Sequence, residues 1–230
     1  MTTLGGATWP GIPERPLLVV PLGSVEQHGP HLPLATDTRT AEAVARAALP
    51  GLDGALLAPA VPYGASGEHE GFPGTVSIGT EALTTLLVEL GRSACRWAGR
   101  VVVVNGHGGN VDALRTAVPL LRAEGRDVAW WPCAVPGGDA HAGRVETSLM
   151  LHVEPDGVHE ARAERGETAP LRELLPRMWA EGVRAVSPNG VLGDPAGASA
   201  AEGAELLADL AGRLAAAVRA WRVDPAGRLG

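Results

Sequence analysis

Short, uninterrupted apolar runs alternate along this chain with longer segments in which apolar residues recur at helical spacing. We predict strands from four of these runs, at residues 17–22, 55–61, 101–104 and 127–134. Strands that are apolar along their whole length are typical of a parallel sheet covered on both faces by helices. The alternation therefore predicts an α/β fold with a mostly parallel sheet.

The segments between and after these runs predict helices. Their spacing places the helices at residues 38–49, 81–97, 111–124, 144–153 and 202–221. Pro119 lies inside the third helix and predicts a kink there, because proline has no N–H to donate. A chain of 230 residues can bury a core of normal size, and we expect one domain spanning residues 1–230.

The composition narrows the classes of partner and of chemistry. A formal net charge of −7 disfavours a nucleic-acid partner held through its phosphates. We expect no membrane partner and a cytoplasmic location, since no apolar stretch is long enough to cross a bilayer and no secretory signal is recognisable. Cys95 and Cys133 lie far apart in apolar surroundings, which favours reduced thiols. The sequence contains no lysine, so Schiff-base chemistry is excluded and proton transfer is left to His, Asp and Glu.

A polar cluster follows each of the four predicted strands. The clusters are EQHGPH at residues 26–31, GEHEGF at 67–72, NGHGGN at 105–110 and HAGRVE at 141–146. In a parallel α/β sheet all strand-to-helix loops leave from the same edge, at the carboxyl ends of the strands, where ligands bind. We therefore expect these clusters to meet in one site although they are far apart in sequence.

The residue types in these clusters suit a divalent metal. Glu26 and His28 are two apart on extended backbone and can point to the same side, and Asp37 lies where its carboxylate can bridge two ions. With His107 and Glu146 they offer two imidazoles and three carboxylates without a thiolate, which favours Zn²⁺, Mn²⁺ or Fe²⁺. Two such ions about 4 Å apart would lower the pKa of a water between them towards about 7. This pattern predicts hydrolysis at a carbonyl group.

His141 comes five residues before Glu146, so the two would lie on different faces of one helix. We expect His141 in the loop before that helix, free to act as an acid or a base. Asn105 and Asn110 are expected to fix their own loop. Trp130 and Trp131 are consecutive on a predicted strand and should face opposite sides, one of them lining the pocket of this site and the other in the core.

Other interpretations remain open for several of these residues. Asp37 is also placed to cap the helix that follows it. The glycines of NGHGGN suit a phosphate at a helix N-terminus, which would make the chain a nucleotide-binding regulatory module, although GxGxxG spacing is absent. Ser66, Glu68 and His69 are expected either to contact a substrate or to bond their own loop.

Taken together, the motifs resemble those of a known family. GSVEQHGPHLPLATD, EHEGFPGT, NGHGGN, HAGRVETS and GVLGDP occur in this order, and over about residues 16–221 the chain is similar to the creatininase-like amidohydrolases. The resemblance implies a three-layer α/β/α fold, hydrolysis of amide bonds, two divalent metal ions (Zn, Fe or Mn) and a homo-oligomer. It also implies how the ligands are divided: one ion held by Glu26 and His107, the other by His28 and Glu146, with Asp37 bridging.

Within the family the resemblance is strongest to members that process a ribosomally made precursor peptide into a redox cofactor. It rests on YGASGEHEGFPGTVSIGTEAL, GRSACRWAGR, HAGRVETSLMLH, and LRELLPRM followed by GVRAVSPNGVLGDP. It implies the modified precursor peptide as the substrate, release of its modified C-terminal Val-Tyr unit, and His141 as the residue that transfers protons.

Creatinine-hydrolysing members tend to carry an aromatic residue and an acid where this chain has Gly108 and Gly109. Two glycines would open space and remove a charge beside the metals, which favours entry of a peptide end. We expect these glycines, with Ser66 and His69, to line the substrate site. The alternative substrate within the family is a small cyclic amide or a formamide.

Overall fold

A sheet of four parallel strands forms the centre of the computed structural model, which describes residues 3–230. The strands lie in the order β2–β1–β3–β4, and each neighbouring pair is parallel. Their bounds are β1 Leu17–Leu22, β2 Leu56–Leu57, β3 Arg100–Asn105 and β4 Val128–Pro132. β1 and β3 are therefore the central strands.

Seven α-helices pack around this sheet within residues 3–230. Their bounds are α1 Thr36–Ala48, α2 Gly79–Ala94, α3 Val111–Ala123, α4 Arg144–Val153, α5 Leu171–Glu181, α6 Val183–Val186 and α7 Ala200–Ala220. The five predicted helices are all present, and α3 continues through Pro119 to its end at Ala123.

The helices α5 and α6 were not predicted from the sequence. Leu171, Leu174, Leu175 and Met178 have helical spacing, but Pro176 interrupts the pattern and only Met178 is buried. The spacing is the signal for α5 in the sequence, and Pro176 obscures it because proline is unfavourable inside a helix. The helix α5 nevertheless lines the main cavity, with Leu175, Met178 and Trp179 among the lining residues.

The helices form two layers, one on each face of the sheet. On one face, Val20 of β1 shares a core with Leu83 of α2 and Leu114 of α3. On the other face, Val19 of β1 shares a core with α1, α4 and α7, including Leu210. Because consecutive residues of a strand point to opposite faces, Val19 and Val20 enter different cores. The predicted three-layer α/β/α fold is confirmed.

The second strand is much shorter than the predicted run at residues 55–61. The backbone N–H of Ala58 donates to the carbonyl of Val19, and the N–H of Val61 donates to the carbonyl of Pro21, both at 2.9 Å. In a regular parallel ladder these hydrogen bonds recur every two residues on both strands. The acceptors Val19 and Pro21 keep that spacing, but the donors Ala58 and Val61 are three residues apart. The second segment therefore carries one extra residue between the two bonds. Pro59 lies there and has no N–H to donate, which accounts for the bulge and for the early end of β2.

Trp130 and Trp131 point into opposite cores, as predicted. Both are buried, and the indole N–H of Trp130 donates to the carbonyl of Ala226 at 2.9 Å. Neither lines the main cavity, so the prediction that one of them would do so is wrong. The reason is that Trp130 lies in the core below α2 and α3, while Trp131 lines a different pocket, beside Arg213 of α7.

The connections from the two central strands leave on opposite faces of the sheet. The chain passes from β1 through α1 to β2, and from β3 through α3 to β4. This divergence leaves a crevice beyond the carboxyl ends of β1 and β3, the place where ligands bind in sheets of this kind.

The helices and the two cysteines correspond to features that the composition addressed, a membrane span and the state of the thiols. Within residues 3–230, no helix combines the length and the apolarity needed to span a bilayer. Cys95 and Cys133 are free thiols, and burial raises the pKa of both. Their thiolate forms are therefore disfavoured, which makes them poor nucleophiles.

Candidate metal centre

The polar clusters that follow the four strands meet at the crevice beyond β1 and β3. The titratable side chains brought together there are Glu26, His28, Asp37, His69, His107, His141 and Glu146. Three overlapping groups of them place a ligand atom from each member within 4.8 Å of the others. The expectation of a single shared site is therefore met.

Asp37 lies between two imidazoles. Its Oδ1 is 3.1 Å from Nε2 of His28, and its Oδ2 is 3.3 Å from Nδ1 of His107. Asp37 belongs to the first turn of α1, whose N-cap position is Ala35, so the helix-capping interpretation of Asp37 is wrong. A carboxylate whose two oxygens face different imidazoles is placed to bind a divalent cation.

A glutamate stands beside each of these imidazoles. Oε2 of Glu26 is 3.2 Å from Nδ1 of His107. Oε2 of Glu146 is 3.8 Å from Nε2 of His28 and accepts the backbone N–H of Ala142 at 2.6 Å. Each imidazole thus faces one glutamate and one oxygen of the shared aspartate.

Both imidazoles are oriented by the ring nitrogen that points away from Asp37. Nδ1 of His28 is 3.1 Å from the carbonyl oxygen of Glu26, and Nε2 of His107 is 3.0 Å from that of Ala65. A carbonyl oxygen only accepts, so these two nitrogens carry the hydrogens. The nitrogens that face the carboxylates are then free to bind a cation, as in metal-binding histidines.

Two buried oxygens of the cluster have no hydrogen-bond partner among residues 3–230. They are Oε1 of Glu26 and Oδ2 of Asp37. Buried anionic oxygens are costly unless they are paired or neutralised. Carboxylates and imidazoles that converge in this way, without a thiolate, fit a divalent cation such as Zn²⁺ or Mn²⁺.

In the absence of a cation, the carboxylates raise the pKa of His28 and His107, so both imidazoles keep a proton on each ring nitrogen. Burial alone would lower the pKa of His28, but Asp37, Glu146 and Glu26 raise this pKa to about 10. Burial also opposes the charged form of His107, yet Glu26 and Asp37 raise its pKa well above the ordinary value. The cluster therefore requires positive charge, and cations can supply it in place of protons.

His69 and His141 behave differently from the first two histidines. Burial lowers the pKa of His69 to about 4. Burial, together with His28 and His69, lowers the pKa of His141 well below its ordinary value. Both imidazoles are therefore uncharged at neutral pH. His141 lies in the loop before α4, as predicted, and its Nδ1 is 3.7 Å from Oε1 of Glu26.

A cavity of about 770 Å³ leads from this cluster to solvent. One wall is acidic and carries Glu68, Glu70 and Asp112, and no arginine lines the cavity. The other wall is apolar, with side chains from Ile78, Leu171, Leu175, Met178, Trp179 and Leu192. The volume and the mixed lining are those of a site for a medium-sized organic molecule.

The acidic wall also bears on the nucleotide-binding alternative. The loop Gly108–Asn110 does lead into α3, as a phosphate-binding loop would. However, Glu68 and Asp112 lie beside it in the cavity, and no arginine of residues 3–230 lines the cavity to offset their repulsion of a phosphate. The charge of the cavity disfavours a nucleotide.

Ser66 supports the cluster from behind. It is fully buried, is absent from the cavity lining, and bonds Ser24, whose Oγ donates to Oε2 of Glu26 at 2.9 Å. In this structure Ser66 therefore does not line the cavity, as the predicted contact with a substrate would require. Its place in the chain, between a bulged strand and a short loop, does not reveal this burial.

Asn105 and Asn110 fix the loop that carries His107, as expected. Nδ2 of Asn105 donates to the carbonyl of His107 at 2.6 Å, and Nδ2 of Asn110 donates to Oδ1 of Asn105 at 3.1 Å. The amides hold the backbone, so the imidazole has a defined direction.

The two glycines of NGHGGN differ from each other. Both line the cavity, and Gly108 has open space where a side chain would be. A Cβ on Gly109, in contrast, would overlap Ala65 and His107 and lie 2.8 Å from Oε1 of Glu68. The interpretation that both glycines open space is therefore correct for Gly108 and wrong for Gly109.

Gln27 is a site residue that the sequence did not identify. It is buried, and its amide Nε2 lies 2.8 Å from Nδ1 of His69 and 3.0 Å from Nε2 of His141. The signal that could have identified Gln27 is its place between Glu26 and His28. On extended backbone, however, neighbouring side chains point in different directions, so this place does not by itself put Gln27 in the same site.

Known proteins resemble the chain in sequence and in structure. A family model described as creatinine amidohydrolase (creatininase) matches residues 6–218. A protein of Mycolicibacterium smegmatis named mycofactocin precursor peptide peptidase is 58% identical over 219 residues, which cover 93% of this chain and 89% of the relative.

Two solved structures resemble the whole fold. A creatinine amidohydrolase (creatininase) shares 26% identity at a TM-score of 0.76, with 96% of this chain and 97% of that chain covered. A structure described as creatininase Mn shares 27% identity at a TM-score of 0.72, with 96% and 98% covered. The family model, the relative and the fold agree: the chain belongs to the creatininase family and is a hydrolase of amide bonds.

Proposed function

We propose that this hydrolase is a metal-dependent peptidase that acts on the mycofactocin precursor peptide and releases its modified C-terminal Val-Tyr unit. The substrate assignment is supported by the name of the M. smegmatis relative, 58% identical over nearly the whole chain. The observation that carries the chemistry is the carboxylate and imidazole cluster at the inner end of the cavity.

The proposal includes two divalent cations, Zn, Fe or Mn. Asp37 would bridge them, because its two oxygens face different imidazoles at 3.1 and 3.3 Å. Glu26 and His107 would hold one cation, and His28 and Glu146 the other. Bound cations would lower the pKa of water and polarise the carbonyl of the scissile amide.

His141 is assigned the proton transfers. Its Nε2 lies 2.8 Å from the carbonyl oxygen of Gln27 and carries the hydrogen, which leaves the lone pair on Nδ1. Nδ1 can therefore take a proton from the attacking water and deliver it to the leaving amine. His141 lines the cavity, so a substrate carbonyl can come close to it.

The shape of the cavity favours a peptide over a small cyclic amide or formamide. Leu171, Leu175 and Trp179 of α5 add an apolar surface to the cavity, outside the metal cluster. A compact amide would reach only the inner end, whereas the side chains of a peptide would cover the apolar wall.

The test is to assay the modified precursor peptide by mass spectrometry before and after removal of metal. Chelation should abolish release of the Val-Tyr unit, and Zn²⁺, Mn²⁺ or Fe²⁺ should restore it, with elemental analysis approaching two ions per chain. Asp37→Asn should lose at least one ion and most of the activity. Asp53→Asn, an exposed aspartate outside the cavity, is the matched control and should keep both.

The same preparation should be offered creatinine and a formamide. Rapid turnover of these compounds together with an intact peptide would favour the small-amide alternative. Full activity of metal-free protein on the peptide would overturn the metal-dependent mechanism itself.

The proposal extends to the assembled protein, a cytoplasmic homo-oligomer in which residues 1–230 form one domain. Light scattering on the purified protein tests the assembly, and a monomeric mass with full activity would contradict it.

A further inference from the structure

Gln27 connects two histidines of the site, His69 and His141. Its amide orientation is determined by two backbone groups: Oε1 accepts the N–H of Gly29 at 2.9 Å, and Nε2 donates to the carbonyl of Gly190 at 3.0 Å. Gly190 has a φ of +82°, and a Cβ there would overlap Oε1 of Gln27. The site is thus shaped to hold this amide in one orientation.

The hydrogens of this amide determine which nitrogen of each imidazole is protonated. Nε2 of Gln27 has two hydrogens and lies near the carbonyl of Gly190, Nδ1 of His69 and Nε2 of His141. Nε2 of His141 is itself 2.8 Å from the carbonyl oxygen of Gln27 and must donate to it. The two amide hydrogens therefore go to Gly190 and to Nδ1 of His69.

The result is that the two imidazoles present different edges to the cluster. Nδ1 of His69 accepts from Gln27, so its hydrogen is on Nε2, which lies 3.4 Å from Oε1 of Glu26. Nδ1 of His141 has the lone pair and lies 3.7 Å from the same oxygen. Both rings line the cavity, and their centroids are 4.5 Å apart. One ring offers a donor and the other an acceptor.

We propose that His69 is a second catalytic residue, which donates its Nε2–H to the carbonyl oxygen of the scissile amide, and that Gln27 is the positioning residue that fixes both imidazoles. The inference rests on the proposed amide hydrolysis at this cluster. A donor preorganised at the place where negative charge develops stabilises the transition state without reorganisation.

The assigned steps account for each proton. The oxygen of water bonds to the carbonyl carbon while its proton passes to Nδ1 of His141, and the C=O electron pair moves to the oxygen. That oxygen accepts the hydrogen bond of His69, which keeps its proton throughout. The C–N bond then breaks, the C=O bond forms again, and the proton on His141 passes to the leaving amine.

Two substitutions at residue 69 separate this role from a structural one. A glutamine places its amide NH₂ close to the position of the imidazole Nε2, whereas an asparagine is too short to reach it. His69→Asn should therefore reduce kcat about 100-fold with KM and metal content unchanged, while His69→Gln should lose about tenfold or less. His159→Asn, at an exposed histidine outside the cavity, is the matched control and should match the wild type.

The hydrogen positions can be measured independently of activity, on the zinc-loaded protein. Long-range ¹H–¹⁵N spectra of the imidazoles should show hydrogen on Nε2 of His69, and Gln27→Met should shift His69 towards a mixture of tautomers. Hydrogen on Nδ1 of His69 in the wild type, or an unchanged kcat in His69→Asn, would overturn the inference. If the wild type does not cleave the peptide, the proposed substrate fails, but the spectra still decide the imidazole arrangement.

Discussion

The side-chain Oδ1 of Asn110 accepts the backbone N–H of Ala65 at 2.9 Å and so joins the loop after β3 to the loop after β2. Nδ2 of the same amide donates to the carbonyl of Gly23 at 3.0 Å, in the loop after β1. A single buried side chain therefore holds together three of the loops that supply the metal centre.

Asn110→Ala should destabilise the protein by about 2–4 kcal/mol, because it leaves the buried N–H of Ala65 and carbonyl of Gly23 without partners. Urea denaturation of wild type and variant measures this difference. Arg115→Ala, at an exposed position of α3, is the control and should differ from wild type by less than about 0.5 kcal/mol. Equal midpoints for Asn110→Ala and the wild type would contradict the assigned role.

The adjacent glycines of the same loop provide a matched pair. Gly109→Ala should cost about 1–3 kcal/mol and weaken metal binding, because the new methyl group would displace His107 or Ala65. Gly108→Ala should leave the stability nearly unchanged, since open space surrounds that position. Thermal unfolding measures the stability of the two variants, and metal titration measures their affinity for metal. Similar losses of stability in both variants would show that the crowding at Gly109 is absent.

The metal-free protein should lose stability as the pH rises. The folded pKa of His28 is about 10, above its ordinary value of 6.5, because Asp37, Glu146 and Glu26 outweigh the effect of burial. The folded state therefore holds a proton that the unfolded state releases more easily. The stabilisation is complete below pH 6.5 and disappears as the pH passes through about 10.

Urea denaturation of chelated protein at pH 6, 8 and 10 measures this trend. Bound cations would replace the proton on His28, so the metal-loaded protein should show a much weaker decline over the same range. A metal-free protein that is as stable at pH 10 as at pH 6 would contradict the strong pairing of His28 with the carboxylates.

Trp179→Ala should raise the KM for the peptide several-fold while kcat and the unfolding midpoint stay near wild-type values. The indole lines the cavity, yet 77% of the residue is exposed, so its removal costs the fold little and the bound substrate much more. Trp9→Ala is the control, because Trp9 is 87% exposed and lies outside the cavity. Equal KM values for the two variants would remove α5 from the substrate site.

The sequence predicted the sheet, the five helices of the two layers and the convergence of the strand-end clusters. These features follow from apolar periodicity and from the geometry of parallel sheets, both of which are local or general. Glu26, His28 and Asp37 could be assigned to one site because metal-competent residue types were concentrated in a segment rich in glycine and proline.

The features that the sequence did not predict depend on contacts between distant segments. Gln27 acquires its partners from loops near residues 69, 141 and 190, and no pattern in the EQH segment indicates them. Ser66 is buried against Ser24, 42 residues earlier in the chain, and the space at Gly109 is filled by Ala65 and His107. Periodicity does not report such packing.

The strand order has a consequence for synthesis of the chain. β1 forms only two residue pairs with β2 but six with β3, which is translated much later. The strand Leu17–Leu22 therefore leaves the ribosome without a stable partner until Asn105 has emerged. Nascent chains arrested before that point should expose this apolar segment and depend on chaperones to remain unaggregated.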